Sequence, residues 1–266
     1  MINTKIISII NQKGGVGKTT TVINLATALS FHNKKILVVD LDPQGNASTG
    51  LGISNTGSTK TIYDVLNGNA NFEEAIQDTK INNLKIVSSN VELSGLEVET
   101  ASENRRAFLL KDKIENFISS NKNDFSYIFI DCPPSLSLLT VMSLVVAQSL
   151  IVPLQAEFFA LEGLSQLMKT IDRIKVKLNP TIKIRGVLLT MFDKRNKLSV
   201  QVDTEARKFF KEKVYQTVIP RNVRLSEAPS HGIPVLIYDK LCIGSKSYSN
   251  FAIEFLEQEN VMESAA

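Results

Sequence analysis

Short, strongly apolar runs alternate with longer helical patterns, and this alternation constrains the fold of the chain more than any other feature. Seven runs have the length and β-branched content of strands: Lys5–Ile10, Lys35–Asp40, Leu84–Ser88, Tyr127–Asp131, Leu150–Pro153, Ile184–Thr190 and Val214–Pro220. Several of these runs are apolar at consecutive positions, which predicts strands of a parallel sheet covered on both faces. Helical periodicity fills the intervals at Gly17–Ser30, Arg105–Ser120, Leu136–Ala147, Glu157–Leu178, Ser199–Lys213 and Ser247–Glu259.

This order predicts a doubly wound α/β fold, with a mostly parallel sheet of about seven to eight strands flanked by helices on both faces. The chain has 266 residues and contains no linker-like or low-complexity stretch. A chain of this size can bury about three-quarters of its surface in one body. We therefore predict a single domain over residues 1–266, with a folded core at 1–260 and a frayed tail at 261–266.

The cysteine content and the hydropathy pattern exclude several classes of protein. Cys132 and Cys242 are the two cysteines of the sequence and stand far apart, which argues against a disulfide framework, a zinc site or an iron–sulfur site. The sequence has no signal-peptide pattern. Leu138–Leu154, the most apolar stretch, is interrupted by polar residues and is shorter than the ~20 residues that a membrane span needs. These features favour a cytoplasmic protein.

Charge is unevenly divided along the chain. The formal net charge is +3, but Lys169–Arg224 holds 15 Lys and Arg against 5 Asp and Glu, so this segment carries +10 and the other residues −7. A basic segment on an acidic body predicts a surface for a polyanion. Charge alone leaves the alternative open that these residues form the solvated faces of helices.

A glycine-rich loop follows the first predicted strand and precedes the first predicted helix. Its sequence predicts a phosphate-binding loop made of Lys13, Gly14, Gly15, Val16, Gly17, Lys18, Thr19 and Thr20. The glycines let backbone N–H groups converge on an anion at a helix N-terminus. In this pattern Lys18 reaches the β- and γ-phosphates and Thr19 ligates Mg²⁺. The alternative is a glycine turn that ends the strand for steric reasons only.

Two features of the loop are unusual. Gln12 occupies the position of the first glycine in the ordinary GxxxxGK[ST] pattern, and Lys13 adds a second lysine. Since Lys18 already serves the phosphate cradle, Lys13 is either a solvated charge or a ligand of a phosphate elsewhere.

Carboxylates follow two other predicted strands. Asp40 and Asp42 stand at the end of one strand, where a carboxylate can hold a water in line with the γ-phosphorus. The alternative for Asp42 is an Asx-turn that only caps the chain. Asp131 ends an apolar strand, where a carboxylate can hold Mg²⁺ through a bound water. The alternative for Asp131 is the N-cap of a helix beginning at Leu136.

These motifs resemble those of the ParA/MinD group of P-loop ATPases. The segment Lys13–Thr19 is similar to their deviant Walker A motif, Asp40–Gln44 to their second motif, and Tyr127–Pro134 to a Walker B strand. The resemblance implies that ATP and Mg²⁺ are the cofactors and that Asp42 positions the attacking water. It further implies a homodimer that encloses the nucleotides, with Lys13 reaching the ATP of the partner subunit.

The C-terminal half resembles the ParA/Soj chromosome-partitioning ATPases in particular. The similarity lies in Gly186–Arg195 and Ile219–Gly232, which both follow predicted strands. It implies that an adenine site is formed by Met191, Pro220, Arg221 and Asn222. It also places Arg195 and Arg224 on a surface that binds double-stranded DNA without sequence specificity, within the basic segment.

The resemblance implies an ATPase of DNA segregation, serving a chromosome or a plasmid. ATP binding would form a dimer on the nucleoid, and slow hydrolysis, stimulated by a ParB/Spo0J-like centromere-binding protein, would release it. A MinD-like division-site regulator at the membrane is the first alternative. Ser247–Ala266 contains no Lys or Arg and four Glu, unlike a basic membrane-binding helix. A metallocluster carrier would need paired cysteines, whereas a nucleotide-binding module without turnover stays open.

Overall fold

A single seven-stranded sheet forms the centre of the protein, whose computed structural model describes residues 4–54, 59–120 and 124–264. The strands are β1 (Lys5–Ile9), β2 (Ile36–Asp40), β3 (Ile76–Asp78), β4 (Leu84–Val87), β5 (Tyr127–Asp131), β6 (Ser149–Gln155) and β7 (Lys183–Thr190). Their order across the sheet is β3-β4-β2-β5-β1-β6-β7, and all neighbours are parallel except the pair β3–β4. The predicted fold class is thereby confirmed.

Helices cover the sheet and connect its strands. They are α1 (Lys18–Phe31), α2 (Asn46–Gly50), α3 (Ile62–Leu66), α4 (Leu96–Glu99), α5 (Leu109–Ser119), α6 (Leu138–Val146), α7 (Ala160–Lys177), α8 (Lys197–Phe210), α9 (Val223–Glu227), α10 (Val235–Tyr238) and α11 (Ile243–Ser264). Short 3₁₀ turns lie at Glu73–Ala75, Val91–Gly95, Arg106–Phe108, Lys211–Lys213 and Ala228–His231.

The central strands are buried on both faces, as their continuous apolar sequences predict. In β1, Ile7 and Ile9 belong to one core with residues of α1 and α11, whereas Ile6 belongs to a second core with residues of α5 and α6. Successive side chains of a strand point to opposite faces, so an all-apolar strand requires helices on both sides. The loops at the carboxyl ends of the strands are left to form a site.

The predicted strand at Val214–Pro220 is wrong. This segment forms no continuous ladder with β7 within the described residues. Isolated bridges join Val214 to Val187 of β7 and Pro220 to Phe192, which lies just beyond the end of β7. Between these bridges the backbone N–H groups of residues 216 and 217 donate to the Glu254 carboxylate of α11, at 2.6 and 2.8 Å. Because the N–H groups of residues 215 and 219 donate to β7, that of residue 217 would face β7 in a regular ladder, and a side chain from a distant helix takes this donor instead.

Strand β3, an antiparallel edge strand of three residues, is not among the strands predicted from the sequence. Such a short strand gives too few positions for a hydrophobic period to be recognised.

Helix α11 is anchored to the amino ends of the strands by a buried ion pair. The Arg185 guanidinium of β7 pairs with Glu259, which also pairs with Lys5 of β1. Arg185 Nη2 donates to the Phe255 carbonyl at 3.0 Å, and its guanidinium lies 3.9 Å from the centre of the Phe255 ring. These contacts fix α11 against the sheet. The first half of the helix reaches the carboxyl ends of the strands, where Tyr248 lines a pocket.

The C-terminal helix extends to Ser264, into the segment 261–266 that is predicted to fray, and residues 265–266 lie outside the described residues. The division into one domain with a core at 1–260 stays a prediction. None of the helices within 4–54, 59–120 and 124–264 is both long and apolar enough to cross a membrane.

Candidate functional site

The glycine loop connects β1 directly to α1 at the carboxyl edge of the sheet. Gly15 and Gly17 have φ angles of +73° and +88°, a conformation that side chains other than glycine rarely adopt. Gly17 is the N-cap of α1, so the N–H groups of the first helical turn open toward the loop. The Thr190 hydroxyl at the end of β7 donates to the Val16 carbonyl at 2.8 Å and fixes the loop from the other side.

Lys18 is buried, and its ammonium group lies inside the glycine loop. The Lys18 ammonium donates to the Lys13 carbonyl at 3.0 Å. Burial lowers the pKa of Lys18, and the carboxylates of Asp131 and Asp42 act in the opposite direction. A cation that is buried and held by a carbonyl is placed to accept an anionic ligand.

The Asp131 carboxylate is buried and lacks the hydrogen bonds that a buried charged group ordinarily has. It is fully buried, and neither of its oxygen atoms has a well-formed hydrogen bond within the described part of the chain. Burial, and next the neighbouring Asp40, raise the pKa of Asp131 well above its usual range, whereas the nearby Thr19 hydroxyl and Lys18 ammonium favour the ionised form. Helix α6 begins at Leu138 with Ser137 as N-cap, so Asp131 does not cap it.

Asp40 lies beside Asp131 because β2 and β5 are parallel neighbours in register. Its carboxylate accepts hydrogen bonds from the Ser48 backbone N–H at 2.8 Å and from the Ser48 hydroxyl at 2.7 Å. Burial raises the pKa of Asp40 to about 6, although these hydrogen bonds oppose the shift. Two adjacent buried carboxylates repel each other when both are ionised, and a bound cation would neutralise their charge.

Asp42 follows β2 and faces the glycine loop across a cleft. One of its oxygens accepts from the Gln44 N–H at 3.0 Å, the Asx-turn that the sequence analysis leaves as an alternative. Asp42 also lines the cleft together with Lys18 and Thr19. The turn and a role in the cleft are therefore compatible, since the turn occupies one oxygen.

The cleft has a volume of about 500 Å³ and continues into a smaller pocket of about 230 Å³. Predicted site residues that line the two are Gly14, Gly15, Gly17, Lys18, Thr19, Thr20, Asp42, Met191, Pro220, Arg221 and Asn222. Others that the sequence analysis missed are Asn46, Thr49, Pro229, Ser230 and Tyr248. Pro229 and Ser230 belong to the segment Ile219–Gly232, which resembles the ParA/Soj ATPases. The position of these two residues in that segment is the sequence feature from which they could have been predicted.

The pocket of 230 Å³ has an apolar end and a polar rim. Pro220 and Met191 line it beside Tyr248 of α11, whose hydroxyl is 3.1 Å from that of Thr21 in α1. Met191 has a φ of +50°, an uncommon conformation at a residue that borders both cavities. A flat, partly apolar group attached to a phosphate chain in the larger cleft would fit this arrangement.

Lys13 and Val16 stand apart from the other residues of the loop. The Val16 side chain is buried, and Lys13 pairs with Glu157, in the connection between β6 and α7. Neither residue is among the described residues that line the cleft. Glu157, which is 144 positions from Lys13, is not among the site residues predicted from the sequence.

Arg195 and Arg224 are exposed near the pocket. The bridge between Phe192 and Pro220 brings their two segments together. Arg195 forms two hydrogen bonds with the Asp193 carboxylate, at 3.0 and 2.9 Å, and holds the pKa of Asp193 at about 2. Arg224 pairs with Glu227 at 2.8 Å and with Asp239 at 3.4 Å.

The chemistry of the site fits a magnesium nucleotide. Thr19 offers a hydroxyl beside the unpartnered Asp131 carboxylate, which suits a hydrated Mg²⁺ ion. The glycine loop and Lys18 suit phosphates because the loop is open: no atom of the described residues, apart from the immediate chain neighbours, lies within 4 Å of the position that a Cβ would take at Gly15.

Comparisons with known proteins agree with this geometry. A family model described as an AAA domain matches residues 4–184. The chromosome partitioning protein ParA of Caulobacter vibrioides is 49% identical over 98% of this chain and 97% of its own. The sporulation initiation inhibitor protein Soj of Bacillus subtilis is 47% identical over 94% of this chain and 97% of its own.

Solved structures share the fold. Cobyrinic acid a,c-diamide synthase from Mycobacterium smegmatis, with bound ADP and magnesium, has a TM-score of 0.83 and 31% identity over 97% of this chain and 96% of its own. The septum site-determining protein MinD of Pyrococcus horikoshii, complexed with Mg-ADP, has a TM-score of 0.78 and 27% identity. The match covers 97% of this chain and 98% of the MinD chain. These neighbours differ in function, so the sequence relatives decide the family. The chain belongs to the ParA/Soj family of chromosome-partitioning proteins.

Proposed function

We propose that this protein is an ATPase of DNA segregation in the cytoplasm, which binds DNA non-specifically as an ATP-dependent homodimer and is released by slow hydrolysis. The observation that carries the proposal is the unpartnered, buried Asp131 carboxylate beside Thr19 and Lys18, below an open glycine loop. The names of the relatives, which are partitioning proteins, support the biological role.

The residues have separate tasks in binding. Backbone N–H groups of Gly14, Gly15, Val16 and Gly17, with those of Thr19 and Thr20, would surround the phosphates, while Lys18 would exchange the Lys13 carbonyl for a phosphate oxygen. Thr19 would ligate Mg²⁺ directly and Asp131 would hold its water. When bound, Mg²⁺ neutralises charge on the phosphate oxygens. Met191, Pro220, Arg221 and Asn222 would form the adenine site.

Two residues act on the reaction from opposite subunits. Asp42 would accept a hydrogen bond from the attacking water with the oxygen that its turn leaves available. Lys13 would contact the ATP of the partner subunit, in keeping with its absence from the cleft of its own subunit. The dimer would then be required for complete charge neutralisation in the transition state.

DNA binding would use Arg195 and Arg224. Both are exposed and paired with carboxylates, and such exposed pairs are weak enough to be exchanged for DNA phosphates. Contacts to phosphates alone give binding that is independent of sequence and dependent on salt. Nucleoid association and stimulation by a ParB/Spo0J-like protein follow from the family and complete the proposal.

ATP turnover tests the function. We would measure phosphate release by the wild type alone, with DNA, and with DNA plus a ParB-like protein. We expect slow basal turnover that rises with both additions, and loss of turnover in Asp42→Ala with ATP binding retained. Asp78→Ala, which removes an exposed carboxylate on β3 at the sheet edge, is the control. Absence of turnover under all conditions would show a nucleotide-binding module instead.

A further inference from the structure

The side chain of Lys13 is turned away from the phosphate cleft and toward a glutamate of its own subunit. Its ammonium pairs with Glu157, while its backbone carbonyl accepts from Lys18 on the side of the cleft. The Lys13 N–H donates to the Asn11 side chain at 3.0 Å, and Asn11 donates to the Pro153 carbonyl at 2.7 Å. The backbone of Lys13 is thus fixed, so its side chain is the part that is free to change partner.

Glu157 is held in position by the connection that carries it. Its N–H donates to the Gln155 carbonyl at the end of β6, at 2.9 Å, and its carbonyl accepts from the Ala160 N–H at the start of α7, at 3.0 Å. Gln12, the neighbour of Lys13, also contacts α7, with its side chain 3.4 Å from the Thr170 hydroxyl. The phosphate loop and this connection therefore form one surface beside the cleft.

We infer that Glu157 is a positioning residue, which retains Lys13 in its own subunit and opposes its transfer to the nucleotide of a second copy of the chain. The inference rests on the proposed function, in which Lys13 acts in the partner subunit. An ammonium group that is paired with Glu157 must leave this carboxylate before it reaches a phosphate in another subunit. Glu157 thereby weakens the ATP-dependent dimer and keeps the subunit monomeric at low concentration.

The geometry indicates how large the effect is. The Lys13 and Glu157 side chains are 48% and 31% exposed, so the pair is screened by water and can be exchanged. Exposed pairs of this kind change an equilibrium by about 1.4- to 5-fold. Because two such pairs open when one dimer forms, the dimer dissociation constant should fall about 2- to 25-fold once the pair is removed.

Sedimentation of Glu157→Gln tests the inference. The amide keeps the shape of the side chain and removes its charge. We would measure dimer dissociation constants with a non-hydrolysable ATP analogue and Mg²⁺, and nucleotide affinity at concentrations where the protein is monomeric. Glu162→Gln is the matched control, since Glu162 is an exposed carboxylate in the first turn of α7 that pairs with no Lys or Arg in the described structure.

We expect Glu157→Gln to tighten the dimer 2- to 25-fold with unchanged nucleotide affinity of the monomer, and Glu162→Gln to match the wild type. Glu157→Asp, which keeps the charge on a shorter side chain, should fall between the wild type and Glu157→Gln. If the wild type dimerises and Glu157→Gln dimerises equally or more weakly, the role of Glu157 is refuted, whereas the ATP-dependent dimer of the proposed function is supported. If no variant dimerises at saturating nucleotide, the proposed dimer is refuted, and the role of Glu157 with it.

Discussion

Substitution of Glu254 by Gln should loosen the segment that leads to the pocket of 230 Å³. The two carboxylate oxygens accept the backbone N–H groups of Gln216 and Thr217, at 2.6 and 2.8 Å. The amide retains one acceptor and places an NH₂ group against the other donor. A hydrogen bond to a charged group contributes about 1.5–3 kcal/mol. Since Glu254 is only half-buried, we expect a loss of about 1–2 kcal/mol in the free energy of unfolding.

The measurements are urea denaturation and calorimetric titration. For a chain of this size the loss corresponds to a fall in Tm of about 2–8 °C. The affinity for ATP should fall by at most about 5- to 30-fold, whereas that for tripolyphosphate should be unchanged, because the segment continues into Pro220–Asn222 and not into the glycine loop. Glu257→Gln, on the exposed side of α11, is the control. A stability within 0.3 kcal/mol of the wild type, or equal weakening of both ligands, would refute this reasoning.

Three further predictions concern packing, pH and DNA. In Gly186→Ala the new Cβ would lie 2.4 Å from the Tyr215 ring, so the free energy of unfolding should fall by about 1–3 kcal/mol in urea denaturation, and an unchanged midpoint would contradict this. Because burial raises the Asp40 pKa from 3.8 to about 6, metal-free protein should lose stability as pH rises through this interval, and Asp40→Asn should lose less, since only Asp131 then contributes; parallel pH profiles would be the contrary result. Arg195→Glu with Arg224→Glu should weaken DNA binding and reduce the slope of log affinity against log salt by about 0.9 for each phosphate contact removed, while sparing basal hydrolysis; a wild-type slope would exclude this surface.

Features that depend on local chemistry could be predicted from the sequence. The order of glycines, Lys18 and Thr19 between a strand and a helix singled out the loop that lines the cleft. The convergence of Asp40 and Asp131 follows from two apolar strands that end in carboxylates, since parallel strands end at the same edge of the sheet.

Features that depend on distant side chains could not be predicted. Residues 214–220 have the apolar pattern of a strand, and only the folded position of Glu254 shows why the ladder is interrupted. In the same way, the partner of Lys13 is supplied by a connection between β6 and α7 far along the chain. Local sequence gave no reason to select Glu157 among the carboxylates.

In the proposed cycle, ATP switches the protein between a free and a DNA-bound state. The decisive measurement of this switch is the retardation of a DNA fragment of arbitrary sequence, with Mg-ATP, with Mg-ADP and without nucleotide. We expect retardation with ATP and not with ADP or without nucleotide, and we expect its loss in Lys13→Ala, which should still bind nucleotide as a monomer. Equal retardation in all three states, or none with ATP, would contradict the proposed switch.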